Sequence, residues 1–298
     1  MKSIKITIIA AILTCSAAAA QDEISRHEVS ASIGCGASSF QTRPATGKNL
    51  WNLANTVGLG YHYLINSNWS IGTGANYAVF RGGISINKHN WKQASINTTM
   101  GANTPFDFLG NTTKFKEVQR AAMITIPLMA RYQYQNGEEA VFSAALGGKT
   151  GIPVSAKKTK TKGKFTTQGY YPNLDVTYED LSEYGFVTDQ SFSNDKTGIS
   201  LKTAFWLSAE LGVKWRVSEM ISLYVGFYAD CGLNNTMKKK PEANTNIVVY
   251  QPDKPDQFTF NSAADSYAKK ITPTVVGINM RLSMAVGKNA ARNGSTDM

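Results

Sequence analysis

Residues suited to acid–base chemistry are few in this sequence and lie far apart. The 298 residues include three histidines, His27, His62 and His89. A hydrolytic centre needs such a base beside a nucleophile and an orienting acid. His27 precedes the first strand predicted below and His62 falls within the second. His89 lies in a long loop, where nothing in the sequence selects a serine and an acid to join it. We therefore predict no catalytic residues.

Motifs for cofactors are also missing from the sequence. Gly-x-Gly pairs recur, as at Gly58 and Gly60, but none continues as G-x-G-x-x-G into a helix, which a dinucleotide loop requires. The cysteines and histidines show no metal-ligand spacing, and no Asp/Asn-rich calcium loop is present. We expect no cofactor, no metal site and, without a recognisable motif, no nucleic-acid partner.

Two groups of lysines could bind anions. The groups comprise Lys157, Lys158, Lys160, Lys162 and Lys164, then Lys238, Lys239 and Lys240. One interpretation is a pair of solvated loops. The other is a candidate contact surface for lipid phosphates or for a host or glycan surface, with an attraction that weakens as salt rises. The formal net charge of +10 fits anionic partners.

Alternating apolar and polar residues indicate that strands carry these side chains. Phe205, Leu207 and Ala209, for example, alternate with Trp206 and Ser208, and a period of two is typical of a strand. Charged residues make up 17%, below the roughly 25% of an average soluble domain. After residue 20 no apolar run approaches the roughly 20 residues of a spanning helix.

The connections between the predicted strands alternate in length. We predict eight strands, at residues 28–39, 53–65, 69–82, 119–134, 140–155, 200–215, 221–234 and 271–287. The second, fourth and sixth connections are tight polar turns, whereas the others run to roughly 13, 35, 45 and 35 residues. In lipid only helices and closed barrels satisfy every backbone group, and membrane barrels combine short turns with long outer loops. The predicted fold class is all-β: an eight-stranded antiparallel up-and-down transmembrane β-barrel with long extracellular loops.

The alternation also assigns side chains to the two faces of the barrel. A set of charges should point inward: Arg131, Lys149, Glu210, Lys214, Asp230 and Arg281. Buried charges have to pair, and by depth Glu210 should meet Arg131, Lys214 or Arg281, while Lys149 and Asp230 could form a second pair. Because eight strands leave room for little more than side chains, we expect a network that fills the lumen. An ion path along these charges is the alternative.

The outward face should carry aromatics and two free thiols. Aromatic residues near the three short turns form a predicted girdle at the membrane boundary: Tyr63, Trp69, Tyr132, Tyr134 and Trp215. Cys35 and Cys231 fall on the outward faces of the first and seventh strands. Since these strands are not neighbours in a ring of eight, we predict that the two thiols do not form a disulfide.

The chain resembles the small eight-stranded outer-membrane barrels of the OmpA/OmpX-type and PorT-like families. The resemblance covers nearly the whole mature chain and is carried by loose motifs: residues 33–36, 57–61, 71–74, 124–128 and 276–282. It implies architecture more than function. The polar segment 289–298 departs from the terminal aromatic typical of many such barrels, and no peptidoglycan-binding domain is implied.

The N-terminus has the parts of a secretory signal. Lys2 and Lys5 precede a short apolar stretch, and Ala18 and Ala20 fit a cleavage site. A lipoprotein leader would use Cys15 instead, but it follows a threonine that suits that cleavage poorly. We predict a signal peptide at 1–20, an outer-membrane barrel at 21–288 and a periplasmic tail at 289–298. The predicted location is the outer membrane of a Gram-negative bacterium.

These features favour a non-enzymatic barrel that is structural or interacts through four long surface loops. The alternatives are a porin-like or accessory transport barrel, a lipid-modifying enzyme, and a soluble exported barrel with an apolar ligand inside. The last would need apolar residues facing inward, which the alternation does not provide. We expect outer-membrane lipids and lipopolysaccharide as partners, an extracellular surface or glycan as a further one, and a monomeric state.

Overall fold

The computed structural model describes residues 26–42, 47–97, 103–135, 140–194, 200–218, 220–238, 246–261 and 270–286. The predicted signal peptide and tail lie outside these ranges and remain predictions. Among the described residues no helix has the length and apolar character needed to cross a membrane.

Antiparallel β-strands make up nearly all of the described structure, together with one short 3-10 helix at Ser182–Tyr184. The strands are β1 His27–Gln41, β2 Lys48–Leu64, β3 Trp69–Asn97, β4 Thr104–Gln135, β5 Ala140–Tyr171, β6 Val176–Tyr178, β7 Gln190–Asn194, β8 Ala204–Arg216, β9 Ile221–Gly232, β10 Val248–Val249, β11 Thr259–Phe260 and β12 Thr272–Val286. The first strand includes His27, which the sequence placed just before it.

Eight of these strands form a closed ring. Each pairs with the next in the order β1, β2, β3, β4, β5, β8, β9, β12, and β12 pairs back with β1 from His27↔Val286 to Gln41↔Thr272. Every pairing around the ring is antiparallel. The predicted eight-stranded antiparallel barrel is confirmed.

The ring has an apolar outside and a polar inside. Phe227 is 71% exposed and Leu207 and Ile278 are also exposed, whereas Glu210 and Arg281 are buried. The predicted outward aromatics all lie exposed at the end of the ring that carries the short turns. Cys35 and Cys231 are exposed free thiols on strands that do not pair, as predicted.

The second and third predicted loops are largely strand, which corrects the sequence prediction. β3 continues to Asn97, and β4 pairs with it as far as Asn97↔Thr104 and with β5 as far as Asp107↔Tyr170. A register shift between Thr113 and Lys116 changes which residues face inward. The alternation of inward and outward residues therefore breaks at this point. A prediction that assumes one unbroken alternation does not detect that β4 continues as a strand.

The part beyond the ring, here called the extension, comprises residues 83–97, 103–118, 156–194 and 246–261. Its interior is apolar and aromatic: Phe108 contacts Trp91, Phe186 and Tyr250, with ring centroids 4.6 Å apart in the Phe108–Tyr250 pair. Phe192 stacks on Phe260 at 4.4 Å. β10 and β11 form a hairpin that packs onto this core, with Val248 fully buried in it.

Candidate functional site

The centre of the barrel holds one carboxylate between two guanidinium groups. Glu210 Oε2 accepts a hydrogen bond from Arg281 Nη2 at 2.8 Å and lies 3.5 Å from Arg131 Nη2. Backbone register explains why Arg131 and Glu210 meet, since both lie in one row with Ala145 across β4, β5 and β8. All three charged side chains are at least 90% buried, so the pairing replaces the water they lose.

An aromatic ring supports this cluster. Tyr224 on β9 lies opposite Arg281 on β12. Its ring centre is 4.8 Å from the guanidinium carbon of Arg281 and 5.7 Å from that of Arg131. A cation over an aromatic face gains further electrostatic stabilisation where water is excluded.

A second pair lies closer to the extension. Lys149 Nζ donates to both carboxylate oxygens of Asp230, at 2.8 and 3.1 Å. The Lys149 ammonium also lies 5.3 Å from the ring centre of Tyr228. The sequence suggested this pair, because Lys149 and Asp230 lie at a similar depth along β5 and β9.

The third pair involves a residue that the sequence analysis did not consider. Lys214 Nζ contacts Glu28 Oε2 at 2.5 Å near the short-turn end. It does not pair with Glu210, although Lys214 was one of the three predicted partners of Glu210. Lys214 and Glu210 are four residues apart on β8, about 13 Å along an extended strand. Glu28 could have been found, because its alternation with Val29 on β1 already points it inward.

Little open space remains among these side chains. A cavity of about 60 Å³ lies between His62, Arg131, Glu210, Lys149 and Arg281, room for a few water molecules. A second cavity of about 200 Å³ opens at the short-turn end, beside Glu28 and Lys214. At Gly72 an added Cβ would lie 2.3 Å from His62 Cδ2, so the imidazole occupies the space that the glycine leaves.

Large side chains fill the barrel at its upper end. Phe80 and Trp206 have ring centroids 5.6 Å apart, and the Trp206 indole N–H donates to the carbonyl of Pro273 at 2.9 Å. Phe40 and Met123 are buried beside them in the same apolar core. An apolar layer therefore separates the polar lumen of the barrel from the extension.

The predicted lysine surface is divided by the structure. Lys157 and Lys162 lie on β5, and Lys162 is opposite Lys116 of β4. Lys164 pairs with Asp189, and Lys238 is exposed. Lys158 and Lys160 pair by backbone with Gln119 and Val118, but their side chains lie outside the described residues, as do Lys239 and Lys240 entirely. The structure therefore does not bring the two groups together as one described surface.

The histidines do not assemble a catalytic group. His62 is buried inside the barrel, His27 Nδ1 lies 2.6 Å from the hydroxyl of Tyr61, and His89 is on β3 of the extension opposite Thr112. Partial burial lowers the pKa of His89, which keeps its imidazole neutral at pH 7. Among the described residues no group of His, Cys, Asp or Glu has the arrangement of a metal site.

Sequence comparison agrees with this architecture. Residues 19–238 match the profile of a family described as the outer membrane protein beta-barrel domain. The chain belongs to this family. Its members' shared setting, the bacterial outer membrane, fits the apolar outer face and the short turns at one end. A comparison with curated proteins gave no match.

Solved structures of outer-membrane barrels align with the chain at low identity. Ail of Yersinia pestis, in complex with the heparin analogue sucrose octasulfate, is 11% identical, with 87% of this chain and 99% of Ail covered and a TM-score of 0.29. Neisserial surface protein A is 9% identical, with 87% and 98% covered and a TM-score of 0.35. OprG of Pseudomonas aeruginosa is 10% identical, with 87% and 99% covered and a TM-score of 0.31.

Proposed function

We propose that this protein is a non-enzymatic outer-membrane barrel that displays the extension at the cell surface, while paired charges and aromatic side chains close its lumen. The observation that carries the proposal is the extension itself. Three strands of 29, 32 and 32 residues run far beyond the roughly 9–11 residues needed to cross the membrane. They enclose an aromatic core of their own. The extension is therefore a folded structure with a hydrophobic core, and not a set of connecting loops.

The proposal includes the route to the membrane and the kind of partner. The leader at 1–20 is removed on export, and the mature chain acts as a monomer. Its partners are anionic: outer-membrane lipids and lipopolysaccharide, and an acidic glycan or other extracellular surface. The supporting feature is the series of lysines on the outward faces of β4 and β5, including Lys116 and Lys162.

Labelling of intact cells tests the orientation. In a Cys35→Ala/Cys231→Ala background, Asp253→Cys places a thiol on an exposed turn of the extension, and Ser67→Cys places one on an exposed short turn. A bulky maleimide that cannot cross the outer membrane should label Asp253→Cys on intact cells. It should label Ser67→Cys only after permeabilisation. The reverse pattern would contradict the proposal.

Transport is the second candidate, because a cavity of about 200 Å³ enters the barrel from the short-turn end. Planar-bilayer recording separates the two functions. The closed lumen should give no large, stable conductance, and the substitutions Trp206→Ala and Phe80→Ala, which remove aromatic rings from the upper end, should raise it. A wild-type protein with steady, large conductance would favour the transport function instead.

A further inference from the structure

Three cations lie side by side on the outer face of the barrel. Arg81 of β3 is directly opposite Arg120 of β4, and Arg120 is directly opposite Lys157 of β5. Directly opposite residues have Cβ atoms about 4.5–5.5 Å apart. Arg81 and Arg120 alternate outward with the lipid-facing residues below them, and Lys157 is exposed beyond a register shift at residues 153–155 of β5. The charged ends of the three therefore share one patch of surface. We call them the cation row.

No acid within the described part of the chain forms a salt bridge with the cation row. Among the described residues, these side chains make one hydrogen bond, from Arg81 Nη1 to the carbonyl of Leu53 at 3.0 Å. Lysines farther along the extension differ, because Lys92 pairs with Asp107 at 2.7 Å and Lys164 pairs with Asp189. Like charges directly opposite each other on a sheet destabilise it. The row therefore presents three positive charges that an anion from outside the chain could neutralise.

The depth of the cation row in the membrane matches that of the headgroups of the outer leaflet. Trp69 and Tyr132 mark the lower membrane boundary and are opposite each other. The cation row begins 12 residues farther along both strands, at Arg81 and Arg120. With a strand tilt near 40°, 12 residues rise about 31 Å, slightly more than the apolar band of about 25 Å.

The outward residues change character at this level on all three strands. Each outward run is uncharged up to the row and then becomes cationic: Tyr77 and Val79 precede Arg81 on β3, and Ile124 and Ala122 precede Arg120 on β4. On β5, Ile152 and Val154 precede Lys157. On the neighbouring strands β1 and β2 the row instead meets Ala37 and Leu53, which are uncharged.

We propose that Arg81, Arg120 and Lys157 together bind a phosphate group of an outer-leaflet lipid. Two guanidinium groups offer paired N–H donors that match phosphate oxygens, and the lysine adds a third charge. Strand tilt spreads the row over about 6 Å of depth, within the headgroup layer. This inference rests on the proposed function, because it requires that the extension faces the cell exterior.

The test compares lipid binding by matched variants of the full mature chain. The protein is folded in detergent, and its affinity for phosphorylated lipid A is measured by titration. The row variant is Arg81→Gln/Arg120→Gln/Lys157→Gln. The control variant, Lys88→Gln/Lys202→Gln/Lys254→Gln, removes the same charge at exposed lysines outside the row. Dephosphorylated lipid A and inorganic pyrophosphate are the two ligand controls.

Each cation near an anionic membrane surface contributes about fivefold in affinity, so the row variant should bind phosphorylated lipid A about 100-fold more weakly. The control variant should bind like wild type, and dephosphorylated lipid A should bind wild type as weakly as the row variant binds the phosphorylated form. Equal affinity of row variant and wild type would overturn the inference. Competition by pyrophosphate as strong as that by lipid would overturn the assignment to a lipid.

Folding and orientation are checked separately for every variant. Heat-modifiable migration reports the closed barrel, and the labelling of Asp253→Cys on intact cells reports orientation. If wild type fails these two checks, the proposed function fails. If all variants pass them but bind lipid A equally, only the assignment of the cation row fails.

Discussion

The strand β4 passes through two interiors of opposite character. In the ring it contributes Arg131 to the central cluster with Glu210 and Arg281. In the extension it contributes Phe108 to a cluster with Trp91 and Tyr250. The outward residues reverse as well, from Leu128 in the ring to Asp107 and Asn111 in the extension.

The medium outside each part explains the reversal. Lipid offers no hydrogen bonds, so in the ring the charged side chains turn inward and apolar side chains such as Leu128 can face out. Water surrounds the extension, where the hydrophobic effect buries the aromatic rings. A register shift between Thr113 and Lys116 lies on β4 between Phe108 and Arg131. It lets one continuous strand change which set of residues faces inward.

The largest expected effect comes from Phe108→Ala, because the fully buried ring fills the core of the extension. Truncation of a buried Phe costs about 4 kcal/mol, so trypsin should cleave the extension, for example after Lys92 and Lys116, far faster than in wild type. Phe227→Ala is the matched control, since Phe227 faces lipid on β9. If the two variants were cleaved at equal rates, the extension would not depend on its aromatic core.

The next effect is expected from Glu210→Gln in the polar interior. It leaves Arg131 and Arg281 buried without their carboxylate, which should lower the free energy of unfolding by about 3 kcal/mol, the lower end for breaking a buried ion pair. Urea unfolding in detergent, followed by heat-modifiable migration, measures it. Asp253→Asn, at an exposed turn, should change stability by less than about 0.5 kcal/mol. Similar values for both would mean that the central cluster contributes no stability.

A smaller effect distinguishes the inner wall of the ring from its outer wall. Gly72→Ala should destabilise by about 2 kcal/mol, because the new methyl group meets His62 Cδ2 at 2.3 Å and overpacks the lumen. Gly148→Ala should be neutral, since the nearest atom to its Cβ is 3.7 Å away. In a His62→Ala background the cost of Gly72→Ala should disappear. A cost that persisted there would place the strain in the backbone and not at the imidazole.

The ring could be predicted from sequence because lipid imposes a strict alternation on it. Leu207 and Phe227 had to face outward and Glu210 inward, and three short turns fixed the strand order. Depth along the strands gave Arg281 as one of three possible partners of Glu210, and it also suggested the pair of Lys149 with Asp230. The pair of Lys214 with Glu28 was not predicted, because Glu28 was not included among the inward-facing charges.

The extension was harder to predict for a physical reason. Above the membrane the backbone can bond to water, so strand and loop are both possible there, and charged residues no longer exclude a strand. The segment from Lys157 to Lys164 alternates lysine with threonine and glycine, which suits a strand with one wet face, yet its charge suggested a loop. The pairing of Arg81 with Arg120 could not be predicted from the sequence. The two residues are 39 positions apart, and only the register of β3 and β4 brings them together.

Closure of the ring between β1 and β12 also constrains biogenesis. The seam joins the earliest described strand to the latest, so no nascent chain can complete the cylinder before residues 272–286 have emerged from the ribosome. Until then two ribbon edges would expose unbonded amides to acyl chains. The barrel can therefore close only once β12 is available to pair with β1.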